Sequence, residues 1–193
     1  MKRIAGAALF VLALTLVASP AFAQEEHGEF GIYADYTRLH NANNANFWGL
    51  GGRVAFNLNK WSQLEAGMAY DFERNFTTGT PGITGTFTRS GLKILDGLFG
   101  PKFQIPLGPV KLFATAKGGF VNFNVSTAST LSTFTGQIAS IPNGNTNGAF
   151  YPGGGVELFY HWIGIRAEAG DLMYFDHGTN HNLRVTIGPQ FRF

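Results

Sequence analysis

Polar and apolar side chains alternate without a break along residues 182–193. Leu183, Val185, Ile187, Pro189, Phe191 and Phe193 fall on one face of an extended strand, and Asn182, Arg184, Thr186, Gly188, Gln190 and Arg192 on the other. A strand in a barrel wall with lipid on one side and a polar lumen on the other requires this arrangement. A soluble barrel of lipocalin type would reverse it, with Val185 and Ile187 inside and Arg184 outside. The same alternation predicts eight strands, at about 28–39, 47–58, 61–73, 91–105, 110–123, 150–160, 162–175 and 182–193. No later apolar stretch reaches the length of a spanning helix, so a membrane form must cross as strands closed into a barrel.

The connections alternate in length, which orients the barrel. His40–Asn46, Arg74–Ser90, Asn124–Ala149 and Asp176–His181 are the longer ones; Asn59-Lys60, Pro106-Leu107-Gly108-Pro109 and a corner at His161 are short. Short turns belong to the periplasmic side, with both termini, and longer loops to the outside. Aromatic residues then gather at two rims. Tyr36, Phe47, Trp48, Tyr70, Phe72, Phe120, Phe150, Tyr151, Tyr174 and Phe175 form an external girdle, and Trp61, Phe103, Tyr160, Trp162, Phe191 and Phe193 a periplasmic one. Glycine-led segments recur in the descending strands at Gly51, Gly100, Gly153 and Gly188. Pro101 and Pro189, which lack a ladder donor, predict bulges or interrupted pairing.

Strand parity sends the charges inward. Acidic Glu29, Asp35, Glu65, Asp71, Asp96, Glu157 and Glu168 share the lumen with basic Arg53, Lys102, Lys111, Lys117, Arg166, Arg184 and Arg192. Seven of each sign in an interior just wide enough for side chains predict an internal salt-bridge network rather than an ion-selective pore. Arg166, Glu168 and Arg184 are its expected centre. A narrow solute channel through the same charges is the alternative.

Lys2 and Arg3, the apolar run Ile4–Ala18 and the small-x-small site Ala21-Phe22-Ala23 predict a signal peptide over residues 1–23 and a barrel domain over 24–193. Removing the leader takes two of the 14 basic residues and leaves 12 against 12 acidic ones, so the formal charge of +2 gives no reason to expect nucleic acid as a partner. Cysteine is absent, which excludes disulfides and thiolate metal sites.

The leader, the eight-strand up-and-down pattern, the balanced ionic lumen and the terminal Phe191-Arg192-Phe193 resemble the small outer-membrane β-barrel family that includes the membrane domain of OmpA and OmpX. That resemblance implies an all-β, eight-stranded antiparallel transmembrane barrel in the outer membrane of a diderm bacterium. It further implies outer-membrane lipid as surroundings, and Phe191 and Phe193 as a signal to the barrel assembly machinery. A structural role follows, with external loops available for a surface ligand or adhesion. OmpA-type proteins often continue into a peptidoglycan-binding domain, and the resemblance here covers only a barrel.

His177-Gly178-Thr179-Asn180-His181 resembles the His-x-Ser-Asn stretch of lipid A deacylases. Thr179 stands in place of the serine, and Asp176 is the last carboxylate side chain in the chain. No enzyme, cofactor or metal site is therefore expected. His177 and His181 lack a third ligand, and His40 and His161 are isolated.

Overall fold

The computed structural model describes residues 27–40, 44–79, 87–127, 146–176 and 178–193. The expected leader and the tips at 41–43, 80–86, 128–145 and 177 lie outside the described residues. In chain order the strands are β1 (Gly28–Leu39), β2 (Ala45–Asn59), β3 (Ser62–Gly79), β4 (Phe87–Leu107), β5 (Val110–Thr127), β6 (Thr146–Tyr160), β7 (Ile163–Asp171), β8 (Met173–Phe175), β9 (Thr179–Asn180) and β10 (Asn182–Arg192). Every ladder is antiparallel, in the order β5-β4-β3-β2-β1-β10-β7-β6, and β5 pairs with β6 to close the sheet on itself. β8 continues the seventh stave past Leu172 by pairing with β6, and β9 lies against β8. The wall is an eight-staved barrel without a free edge around its waist.

Local chemistry sets the three short turns. Asn59 Oδ1 accepts from the backbone N–H of Trp61 at 2.8 Å and of Ser62 at 2.9 Å, so the side chain folds the turn after β2. Gly108 adopts φ 71° between β4 and β5. His161 takes φ 57° between β6 and β7, in the left-handed region where a non-glycine residue is uncommon.

Several strands run further than alternation predicted. β3 and β4 stay paired from Arg74↔Leu92 up to Gly79↔Phe87, within the stretch expected as loop, and β5 and β6 likewise reach Thr127 and back to Thr146. A register shift between Asp71 and Arg74 changes the parity of β3 there and hides its continuation from period-two counting. The predicted single strand 162–175 is broken at Leu172, whose N–H donates to the Asn182 carbonyl at 2.7 Å.

At the two prolines the ladder is interrupted without a register shift. The β4–β5 pairing skips from Phe99↔Gly118 to Lys102↔Thr115, and β1–β10 skips from Gly31↔Gln190 to Ala34↔Ile187. Thr115 Oγ1 donates to the Pro101 carbonyl at 3.0 Å and partly replaces the missing ladder. Gly100 and Gly188 precede these prolines because the neighbouring strand comes too close for a side chain. A Cβ at Gly100 would overlap the Ala116 carbonyl oxygen, and one at Gly188 that of Ile32.

Candidate functional site

The two faces of the wall are sharply different. On β10, Ile187 is 52% exposed while Arg184 is 3% exposed, and Ile32, Leu50, Phe99, Ile165 and Leu183 also face outward. A soluble barrel would bury these apolar groups, so the observed faces are those of a lipid-embedded wall. The outer band ends in rings. Trp61, Phe103, Tyr160, Trp162 and Phe193 are exposed at the periplasmic rim, where Trp162 stacks on Phe191 at 5.9 Å. Trp48 packs on Tyr36 at 4.9 Å at the external rim, beside exposed Tyr70, Phe72, Phe150 and Phe175. Phe47, Tyr151 and Tyr174, expected in that girdle, instead point into the lumen and are 1% exposed, because they occupy the inward parity of their strands.

All fourteen charges assigned to the lumen by parity lie there, although Lys111 and Arg192 are less completely buried. They form two separate groups. The larger fills the periplasmic half. Arg166, wholly buried, donates to Glu65 at 2.6 and 3.3 Å, pairs with Glu157 at 3.2 Å and also contacts Glu168. Lys117 joins Glu65 at 2.5 Å and Glu168 at 3.1 Å, and Arg53 reaches Glu168 at 3.0 Å. Below them Lys102 bridges Glu157 at 2.5 Å and Glu29 at 3.5 Å; Lys111 and Arg192 approach Glu29 at 3.7 and 3.3 Å. Gln190 donates to Glu29 as well. Ion pairs thus run unbroken from the periplasmic mouth to the barrel centre.

The smaller group sits one level further out. Arg184 grips Asp35 with two hydrogen bonds, at 3.1 and 2.6 Å, and gives a third to Asp96 at 2.9 Å. The two-pronged geometry is the strong form of a guanidinium–carboxylate contact. Asp71 adjoins this group on the ladder row that runs from Asp35 through Gly49. Among the described residues Asp71 forms no ion pair. Arg184, expected beside Arg166 and Glu168, therefore anchors a cluster of its own.

Inward aromatic rings lie among these ions; of them the sequence reading placed Tyr151 in the external girdle and left Tyr33, Phe113 and Phe159 unremarked. Arg166 lies 4.1 Å from the Phe113 ring centroid, Arg53 4.4 Å from Tyr33, Arg184 5.7 Å from Tyr151 and Arg192 3.2 Å from Phe159. Glycines make room for them. A Cβ at Gly51 would strike the Tyr33 ring, and Cβ atoms at Gly153 and Gly170 would meet Tyr151.

Beyond Arg184 the external half of the lumen turns apolar. Leu39, Phe47, Leu92, Ile94, Val121, Phe123, Leu172 and Tyr174 form a buried cluster, with Phe123 and Tyr174 edge to face at 4.9 Å. At the external rim His181 Nδ1 lies 2.5 Å from Asp171 Oδ2, and Asp171 Oδ1 accepts from the Asn182 N–H at 2.9 Å. Asp171 precedes Asp176 in sequence and comes beside His181 only through the β7–β10 register, so a search along the local motif misses it. Among the described residues no hydroxyl is hydrogen-bonded to His181.

Phe191 and Phe193 close the seam. The Phe193 N–H and carbonyl each bond Gly28 at 3.0 Å, and the Phe193 ring covers the outer face of Gly28, where a Cβ would meet it at 2.7 Å.

The model of the outer membrane protein beta-barrel domain matches residues 9–191. No curated protein is detectably similar in sequence. Among solved structures, Ail, the attachment invasion locus protein of Yersinia pestis, superposes with a TM-score of 0.54 at 14% identity, over 88% of this chain and 100% of that one. Ail in complex with the heparin analogue sucrose octasulfate gives 0.52 at 14%, over 87% and 97%. Neisserial surface protein A gives 0.54 at 9% identity, over 86% and 96%. At these identities the likeness is one of fold. With its apolar outer wall, charged interior and a domain match over nearly its whole length, this chain belongs to the outer-membrane β-barrel protein family and resides in the outer membrane of a Gram-negative bacterium.

Proposed function

We propose that this protein is a closed, non-conducting outer-membrane scaffold that carries a crown of strands above the membrane for contact with a surface partner. The observation that supports it is the filled lumen. An ion-paired column blocks the periplasmic half, Arg184 and its aspartates block the middle, and an apolar cluster blocks the external half. An aqueous path would have to break several buried ion pairs and also wet the apolar layer, each costing several kcal/mol.

The crown supplies the contact surface. β3 extends to Gly79, past its last pairing with β2 at Gly49↔Asp71, so among the described residues its outer edge has no neighbouring strand from Phe72 onward. Unpaired strand edges above a membrane can accept an added strand from a partner. Ail, alike in fold, has been crystallised with a sulfated heparin analogue, which makes sulfated oligosaccharides a sensible first probe of the crown. Phe191 and Phe193 are proposed to serve the barrel assembly machinery, and deleting Phe193 is expected to lower the amount of folded barrel in the outer membrane.

The decisive experiment is single-channel recording of the folded protein in a planar bilayer. A silent bilayer containing verified folded barrel is expected. Discrete, reproducible openings would overturn the scaffold reading and turn the inward charges into a solute pathway.

A further inference from the structure

Between the two ionic groups lies an internal cavity of about 20 Å³. We infer that it binds one ordered water molecule, which joins the periplasmic column to the Arg184 cluster. A cavity of roughly 10 to 15 Å³ with two to four polar partners is enough to hold a water. Both conditions are met. Arg53 Nε and Nη2 and Thr186 Oγ1 belong to residues lining the cavity, are buried, and have no hydrogen-bond partner in the protein. Arg53 and Thr186 are 5% and 4% exposed, so bulk solvent does not serve them. Left unpaired, each such group destabilises the fold, a charged one the more.

The lining also selects the ligand's charge. Arg53, Lys117 and Arg184 are matched by Glu65, Asp96 and Glu168, so neither an anion nor a cation gains from entering. A neutral dipole does. A water accepts from Arg53, bonds the Thr186 hydroxyl and turns its remaining capacity to the carboxylates on either side. Arg53 and Glu168 belong to the inner group and Arg184 and Asp96 to the outer one, so the bound water is the hydrogen-bonded link between two groups that share no direct ion pair among the described residues.

Two substitutions read the sign of this inference. Gly67 lines the cavity, and a Cβ there would find its nearest neighbours at 3.5 Å (Gly52 O), 3.6 Å (Tyr33 Oη) and 3.7 Å (Arg53 Cβ), all ordinary contacts. Gly67→Ala therefore fits, and its methyl takes the water's space. Displacing the water strands Arg53 and Thr186, and the unfolding equilibrium constant in urea and detergent is expected to rise roughly tenfold. In a dry cavity the same methyl fills a void and replaces a flexible glycine, so the constant would fall. Thr186→Val, nearly isosteric, is likewise expected to raise it several-fold by removing a water ligand. If Thr186 Oγ1 has no partner at all, valine instead lowers it. A fall or no change in either variant overturns the water site. So does an atomic-resolution crystal structure with no density peak within hydrogen-bond distance of Arg53 Nη2 and Thr186 Oγ1, whereas a peak there supports it.

Discussion

The inner and outer halves of the lumen are filled by different physics. The periplasmic column gathers six cations (Arg53, Lys102, Lys111, Lys117, Arg166, Arg192) around four carboxylates (Glu29, Glu65, Glu157, Glu168), and most members have more than one partner. The outer cluster places three carboxylates (Asp35, Asp71, Asp96) around one cation, Arg184, beneath an apolar layer. Seven charges of each sign are thus balanced over the whole lumen yet divided, with a formal excess of two positive charges below and two negative above. Opposite excesses attract across the narrow gap between the groups, which helps hold the column and the cluster in register. The column is redundant and the cluster hangs on one residue.

That contrast ranks the arginines against intuition, because Arg166 touches more carboxylates than Arg184 does. Arg184→Ala removes the sole cation of its level and leaves Asp35 and Asp96 buried without a counter-charge. A loss of about 3 to 5 kcal/mol in unfolding free energy is expected. Arg166→Ala leaves Lys117, Lys102 and Arg53 in place to serve Glu65, Glu157 and Glu168, and roughly half that loss is expected. Urea titration of the folded barrel in detergent measures both. If Arg166→Ala proves the more damaging, the contrast between redundant and single-anchored halves is wrong.

The apolar layer gives a prediction that separates stability from closure. Phe123 is wholly buried among Leu39, Leu92, Val121 and Tyr174, and Phe123→Ala is expected to cost about 3 kcal/mol, the low end for such truncations, because water near the mouth fills part of the void. Conductance should nevertheless remain absent, since the Arg184 cluster and the ion column still block the path. Stable openings in Phe123→Ala would mean that the apolar layer alone holds the barrel shut, and that the charges beneath it are permeable.

Which of this was legible in the sequence depends on what parity can carry. Between the glycine-proline interruptions the ladders keep their register through the waist, so every charged position falls on the face that alternation assigns. Where the Asp71–Arg74 shift breaks parity, the continuation of β3 became invisible. The division into two ionic groups was not legible either, because level along the axis depends on the stagger between strands, which alternation within one strand does not encode. Arg184 shares two strands of the barrel's closing seam with Asp35, 149 positions earlier in the chain, and no local spacing announces that partnership. The apolar layer escaped for another reason. Near the external ends apolar residues occupy both faces, as Phe47 beside Trp48 shows, and alternation has no contrast to read.

Asp71 is the most delicate discriminator between the halves, and its expected effect is the smallest. It lies one strand beyond Gly49 from Asp35 on the same ladder row, is 1% exposed, and forms no ion pair among the described residues, while Arg184 is already spent on Asp35 and Asp96. Removing its formal charge relieves repulsion from two neighbouring carboxylates, and an amide keeps the shape and can still hydrogen-bond. Asp71→Asn is therefore expected to leave the unfolding free energy unchanged or to raise it by up to about 1 kcal/mol, whereas Asp35→Asn, which breaks a two-pronged contact with Arg184, should lower it by roughly 2 kcal/mol or more. The pair of variants tests the surplus of negative charge directly. If Asp71→Asn destabilises as much as Asp35→Asn, then Asp71 is a full partner of Arg184, and the outer half is a shared three-carboxylate site rather than a paired one with an excess charge.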